Sequence, residues 1–91
     1  LTFKNFDEVM KRANDNDLGL CSYVYTTNLK KANEASEILE TGCVAVNTPA
    51  VAVAEAPFGG IKQTGYGREG GSMAIKDYLN IKYTHFGISY E

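Results

Sequence analysis

Apolar residues return at intervals of three and four from Phe3 to Ala13, at Phe3, Phe6, Val9, Met10 and Ala13, the spacing that puts them on one face of a helix. Asn5 or Thr2 can cap its start. The run Asn14-Asp15-Asn16-Asp17 ends it, because these short polar side chains bond their own backbone in turns. Leu20 to Thr27 is rich in Tyr, Val and Thr, which predicts a strand. Asn28 can then cap a helix reaching about Glu40, with Leu29, Ala32, Ala35, Ile38 and Leu39 on one side and Gly42 as a left-handed stop past its end. Val44 to Asn47 predicts a short buried strand. From Thr48 to Gly71 the periodicity dissolves into a loop holding Pro49, Pro57 and six of the nine glycines, a length without regular structure that usually serves function. Ser72 to Leu79 predicts a short helix. Asn80 to Ile88 predicts a last strand, with Ile81, Tyr83, His85 and Gly87 alternating with Lys82, Thr84, Phe86 and Ile88. The expected class is α/β: helix, strand, helix, strand, glycine-rich loop, short helix and terminal strand.

Neither face of that terminal strand is cleanly polar, and an exposed edge of this kind invites pairing with another chain. It reads as an intersubunit strand, with an internal edge strand as the alternative. The chain has 91 residues, enough for one domain that buries only about 60 to 65% of its unfolded surface. Hydrophobic residues make up 44% and charged residues 22%, which argues against disorder and against a disulfide-stapled miniature. A net charge of -2 with no local basic patch gives nothing to hold a phosphate backbone, so no nucleic-acid partner is expected. No apolar run approaches the roughly 18 to 20 residues that span a bilayer, and the start lacks a signal-peptide layout. The expected setting is cytoplasmic, away from membranes. Leu1 stands where a methionine would open a whole chain, which suggests a segment of something longer.

Candidate chemistry is sparse. Cys21 and Cys43 are too far apart for a CxxC site, and His85 is the only histidine, so no metal-ligand set is expected. Either cysteine reads as a small buried hydrophobe before a reactive thiol. Gly65-Tyr66-Gly67-Arg68-Glu69-Gly70 matches the GxGxxG letters of a dinucleotide loop. That chemistry needs a strand running into the first glycine and a crossover helix after it. A loop precedes these glycines and about twenty residues follow them, so the glycines read instead as a tight backbone path. There is no GxxxxGK[ST] loop, GxSxG elbow or HExxH helix. No active site emerges from the residues alone.

Three ordered segments carry a resemblance. Ala56-Pro57-Phe58-Gly59-Gly60-Ile61-Lys62-Gln63-Thr64-Gly65-Tyr66-Gly67-Arg68-Glu69-Gly70 resembles the PFGGxKxSGxGRExG stretch near the C-terminus of aldehyde dehydrogenases, with Thr64 where serine is usual. Ala13-Asn14-Asp15-Asn16-Asp17-Leu18-Gly19-Leu20 resembles the family's AN-turn-GL segment, and Gly42-Cys43-Val44-Ala45-Val46-Asn47 its GxVxVN strand. Asp77-Tyr78-Leu79-Asn80-Ile81-Lys82-Tyr83, after Glu69-Gly70-Gly71-Ser72, is most similar to the succinate-semialdehyde dehydrogenase branch.

The resemblance implies that residues 1–78 are the C-terminal portion of a catalytic domain, with the glycine-rich loop at 48–71, and that residues 79–91 are an oligomerisation strand or tail lent to a neighbouring subunit. It implies a parent that oxidises an aldehyde, succinate semialdehyde or a similar semialdehyde, with NAD or NADP through a cysteine thiohemiacetal and thioester, a glutamate activating water. The nucleophile, that glutamate and the cofactor domain belong to upstream motifs absent here, so no catalytic, cofactor-binding or metal-binding residue is expected and the piece alone should be inactive. Phe58 matches an aromatic wall of the aldehyde tunnel and Ala52 a specificity position. Succinate-semialdehyde enzymes often carry a serine near Ala52, and alanine cannot donate that hydrogen bond to the far carboxylate. Upstream arginines could hold it instead. Asn47, Gly59, Gly60, Lys62, Arg68 and Glu69 are expected to shape the loop, Asn47 by orienting backbone and Lys62, Arg68 and Glu69 as a salt-bridged lock. The rival reading is a non-catalytic module that acts by donating a strand.

Overall fold

The computed structural model describes residues 1–89. Tyr90 and Glu91, the end of the tail expected over 79–91, lie outside the described residues. Helix α1 runs Phe6–Asn14. It starts where Asn5 Oδ1 accepts the Glu8 N–H at 2.9 Å, a cap that satisfies one of the helix's orphan donors. Glu8 answers by accepting the Lys4 N–H at 3.0 Å and pairing with Arg12 one turn on at 3.2 Å. The expected apolar face is present in the helix, yet none of its residues is buried.

The strand expected over Leu20–Thr27 covers only Cys21–Val24, and a separate two-residue strand precedes it. β1 (Leu18–Gly19) pairs antiparallel with β4 (Ile61–Lys62), and β2 (Cys21–Val24) pairs parallel with β3 (Cys43–Val46). Leu20 is the bend between them. Gly19 fixes that bend: its N–H donates to Thr64 Oγ1 at 2.8 Å, and its carbonyl accepts the Gly42 N–H at 3.0 Å. Parallel neighbours need a crossover, and α2 (Leu29–Ile38) supplies it between β2 and β3. Asn28 caps α2 as expected, accepting the Lys31 N–H at 3.0 Å.

Gly42 departs from expectation. It is absent from the residues of positive φ, and α2 already ends at Ile38 with Leu39 extended. Glycine is required there for space, since a Cβ would overlap the Gly59 carbonyl oxygen. Two further elements differ. The helix expected over Ser72–Leu79 is a 3-10 helix, Ala74–Tyr78. Asn80 to Ser89 forms no ladder with any described residue and is exposed throughout, because a strand exists only where another supplies partners for its N–H and C=O groups.

The buried apolar residues are few and small: Ala32, Ala35 and Leu39, from α2 and its end, and Ala45 from β3. Leu29, Ile75, Tyr78, Ile81, Tyr83 and Phe86 are all more than half exposed. The radius of gyration is 19.7 Å with a long axis of 80 Å, against about 12 Å for a compact domain of this length. Such apolar surface is what a fold shows when its covering layers are other polypeptide. Among the described residues, no helix is long and apolar enough to cross a membrane.

Candidate functional site: the pinned glycine loop

The loop from Thr48 to Gly71 leaves β3 through Asn47, whose φ of 57° lies in the left-handed region. Asparagine tolerates that region better than branched residues do. Its side chain also clamps the strand end beside it. Asn47 Oδ1 accepts the Thr26 N–H at 2.9 Å, and Asn47 Nδ2 donates to the Thr26 carbonyl at 3.0 Å. The direction in which the loop departs is therefore fixed at both β2 and β3.

The far half of the loop folds back on itself. Phe58 and Glu69 exchange two backbone hydrogen bonds of 2.7 and 2.6 Å, and the Gly71 N–H reaches the Ala54 carbonyl at 2.8 Å. Arg68 holds the turn from inside: its Nη1 donates to the Gly60 and Gly67 carbonyls, both at 2.8 Å. Its backbone N–H meets Asp77 Oδ2 at 2.8 Å, which ties the loop to the 3-10 helix. The GxGxxG letters thus form part of a closed loop and not a strand-to-helix phosphate turn, and these residues do not fit a dinucleotide.

Lys62 holds the loop to the helical layer. It also has a φ of 57°, and its Nζ pairs with Glu40 at 2.8 Å and donates to the Asn14 and Asn16 carbonyls at 3.2 Å each. Asn14 in turn accepts the Glu40 N–H at 2.9 Å and donates to the Ile38 carbonyl at 2.8 Å. Lys62, Arg68 and Glu69 do act on the loop, but not by pairing with one another: Lys62 finds a carboxylate outside it, Arg68 finds carbonyls, and Glu69 contributes its backbone. Gly59 and Gly60 sit where the walls meet. A Cβ on Gly60 would strike the Thr64 methyl, and one on Gly59 the Gly67 carbonyl. Thr64, in the usual serine place, keeps the hydroxyl that Gly19 requires.

Phe58 is half-buried and lines a concavity of about 300 Å³ with Leu20, Thr64, Tyr66, Arg68 and Tyr78. Asn47 lines a separate one with Tyr25, Thr26, Leu29 and Val46. Ala52 is exposed and lines neither. The described residues therefore do not bring Asn47, Ala52 and Phe58 into one cavity. Cys21 and Cys43 are free and half-buried, opposite one another in the β2·β3 register. Among the described residues, no group of three His, Cys, Asp or Glu side chains converges as a metal site.

The partners that the sequence did not disclose are Thr26, Thr64, Asp77, Glu40 and Asn14. Each acts on a residue 9 to 48 positions away, beyond the reach of any local spacing rule.

Comparison with known proteins gives one consistent result. The model of the aldehyde dehydrogenase family matches residues 1–84. A 3-sulfolactaldehyde dehydrogenase of Pseudomonas putida is 49% identical over 85 residues, covering 93% of this chain and 18% of that protein. A succinate semialdehyde dehydrogenase of Acinetobacter baylyi is 47% identical over 85 residues, with the same coverage of 93% and 18%. The NAD+ complex of a Bacillus cereus aldehyde dehydrogenase superposes with a TM-score of 0.86 at 41% identity, covering 90% of this chain and 17% of that one. The chain thus spans less than a fifth of the length of these relatives.

Proposed function

Because this chain belongs to the aldehyde dehydrogenase family, we propose that it is the C-terminal part of an NAD(P)+-dependent enzyme that oxidises a semialdehyde, succinate semialdehyde or a close analogue, to the carboxylic acid. The observation that carries this reading is the loop pinned from Asn47 to Gly71, which presents Phe58 at a concavity on a rigid support. Substrate walls must hold position to orient a small aldehyde, and fixed geometry is what binding energy is converted into. In this reading Phe58 is an aromatic wall, Ala52 a position that sets specificity and Asn47 the residue that orients the loop's departure. Gly59, Gly60, Lys62, Arg68 and Glu69 hold its shape. Two of the relatives are named for succinate semialdehyde and 3-sulfolactaldehyde, aldehydes with an anionic group at the far end, and others of similar identity for retinaldehyde and betaine aldehyde, which have none.

The chain itself supplies neither nucleophile nor base. Cys21 and Cys43 lie in strands outside any segment like the family's catalytic cysteine, and the loop does not fit the cofactor. We assign residues 1–78 to the catalytic domain and 79–91 to a tail that pairs with a neighbouring subunit in a cytoplasmic homo-oligomer. The exposed run from Asn80 to Ser89, which forms no ladder with any described residue, supports this, and the same feature favours the second reading, a strand-donating module without chemistry. Reduction of NAD+ and NADP+ by succinate semialdehyde separates the two. The full-length protein should turn over while the 91-residue chain alone does not. Turnover by the isolated chain, or none by the full-length protein, would overturn the reading.

A further inference from the structure

Cys21 and Cys43 are direct register partners in the parallel β2·β3 ladder. Register partners on adjacent strands point to the same face, about 4.8 Å apart at the backbone. That spacing lies within the Cα separations of roughly 4.4 to 6.8 Å that a disulfide can bridge. Both thiols are free. We propose that Cys21 and Cys43 form a reversible cross-strand disulfide under peroxide, a modification site separate from the aldehyde chemistry.

In this reaction one thiolate attacks the peroxide, forming a sulfenic acid and releasing water. The second thiol then displaces the hydroxyl as a second water, so two thiols are oxidised and one peroxide is reduced. Parallel side chains must lean together, since a disulfide prefers a Cβ separation of about 3.8 Å. A bond closed under such strain is easily reduced, the property of a labile link and not of a structural staple. Burial first, and then the charge and hydrogen bonding of Cys43, push the Cys21 thiol above its ordinary range, which keeps Cys21 protonated and suits it to the second, resolving step and not to the attack on peroxide. Closure has a local consequence. Cys43 Sγ now donates to the Gly59 carbonyl at 3.6 Å, and the disulfide has no proton to give, so the link withdraws one support from the glycine loop.

The test treats the native full-length protein with hydrogen peroxide, blocks remaining thiols with an alkylating agent and maps peptides by mass spectrometry with and without dithiothreitol. The expected result is a Cys21–Cys43 linked peptide, lighter by two hydrogens than the sum of its parts, that disappears on reduction and is absent from Cys21→Ser and Cys43→Ser proteins. Recovery of both cysteines as separately alkylated or separately over-oxidised peptides would overturn the proposal. The map reads the two sulfurs themselves, so it stands apart from whether the protein turns over an aldehyde.

Discussion

Asn47 carries two demands at one position, a left-handed backbone and a two-way clamp on Thr26. Alanine fails both. Asn47→Ala is expected to cost about 2 kcal/mol, from the lost hydrogen bonds and the poorer left-handed preference. Asn47→Gly keeps the backbone freedom and should cost nearer 1 kcal/mol. Thermal denaturation of the full-length protein checks the order, and an Asn47→Ala protein as stable as Asn47→Gly would remove backbone strain from the explanation. Lys62, the other non-glycine residue of positive φ, holds its conformation through Glu40 and two carbonyls. It lies on the same loop.

At the scale of elements, close contact between β3 and the glycine loop rests on Gly42. A methyl group there collides with backbone, which cannot swing aside as a side chain would. Gly42→Ala should therefore cost about 3 kcal/mol, the upper range for overpacking. A Gly42→Ala full-length protein that melts together with the parent would show that the Gly42 contact is not structural. The elements that sequence disclosed best were those with local grammar. Asn5 and Asn28 cap α1 and α2 through bonds three residues on, and the Asn/Asp run stops α1 where expected. What sequence concealed was non-local. The short strand just before the expected one depends on Gly19 meeting Thr64 across 45 positions, and Gly42 reads as a helix stop until Gly59 is seen against it. Within the candidate site, the motif marked Phe58, Lys62 and Arg68 as a group but not what Lys62 and Arg68 hold, because those partners are a distant carboxylate and backbone carbonyls.

On the scale of the whole molecule, the small core of Ala32, Ala35, Leu39 and Ala45 is too slight to sustain an 80 Å body, and many large apolar side chains await cover. The alternation read in Asn80 to Ile88 was real as a pattern, yet a ladder needs a second strand that these residues do not contain. If the tail pairs with another subunit, deleting residues 79–91 from the full-length protein should lower the mass seen in light scattering by at least one subunit; an unchanged mass would place the subunit contact elsewhere. We propose that this loop serves an aldehyde bearing a far-end anion, held by groups other than Ala52. The most direct test of this claim is steady-state kcat/KM of the full-length protein with NAD+ for succinate semialdehyde and for butanal, an uncharged aldehyde of equal carbon number. We expect succinate semialdehyde to be preferred by more than about tenfold, the discrimination that a charge-assisted hydrogen bond confers. Parity or a preference for butanal would contradict the claim.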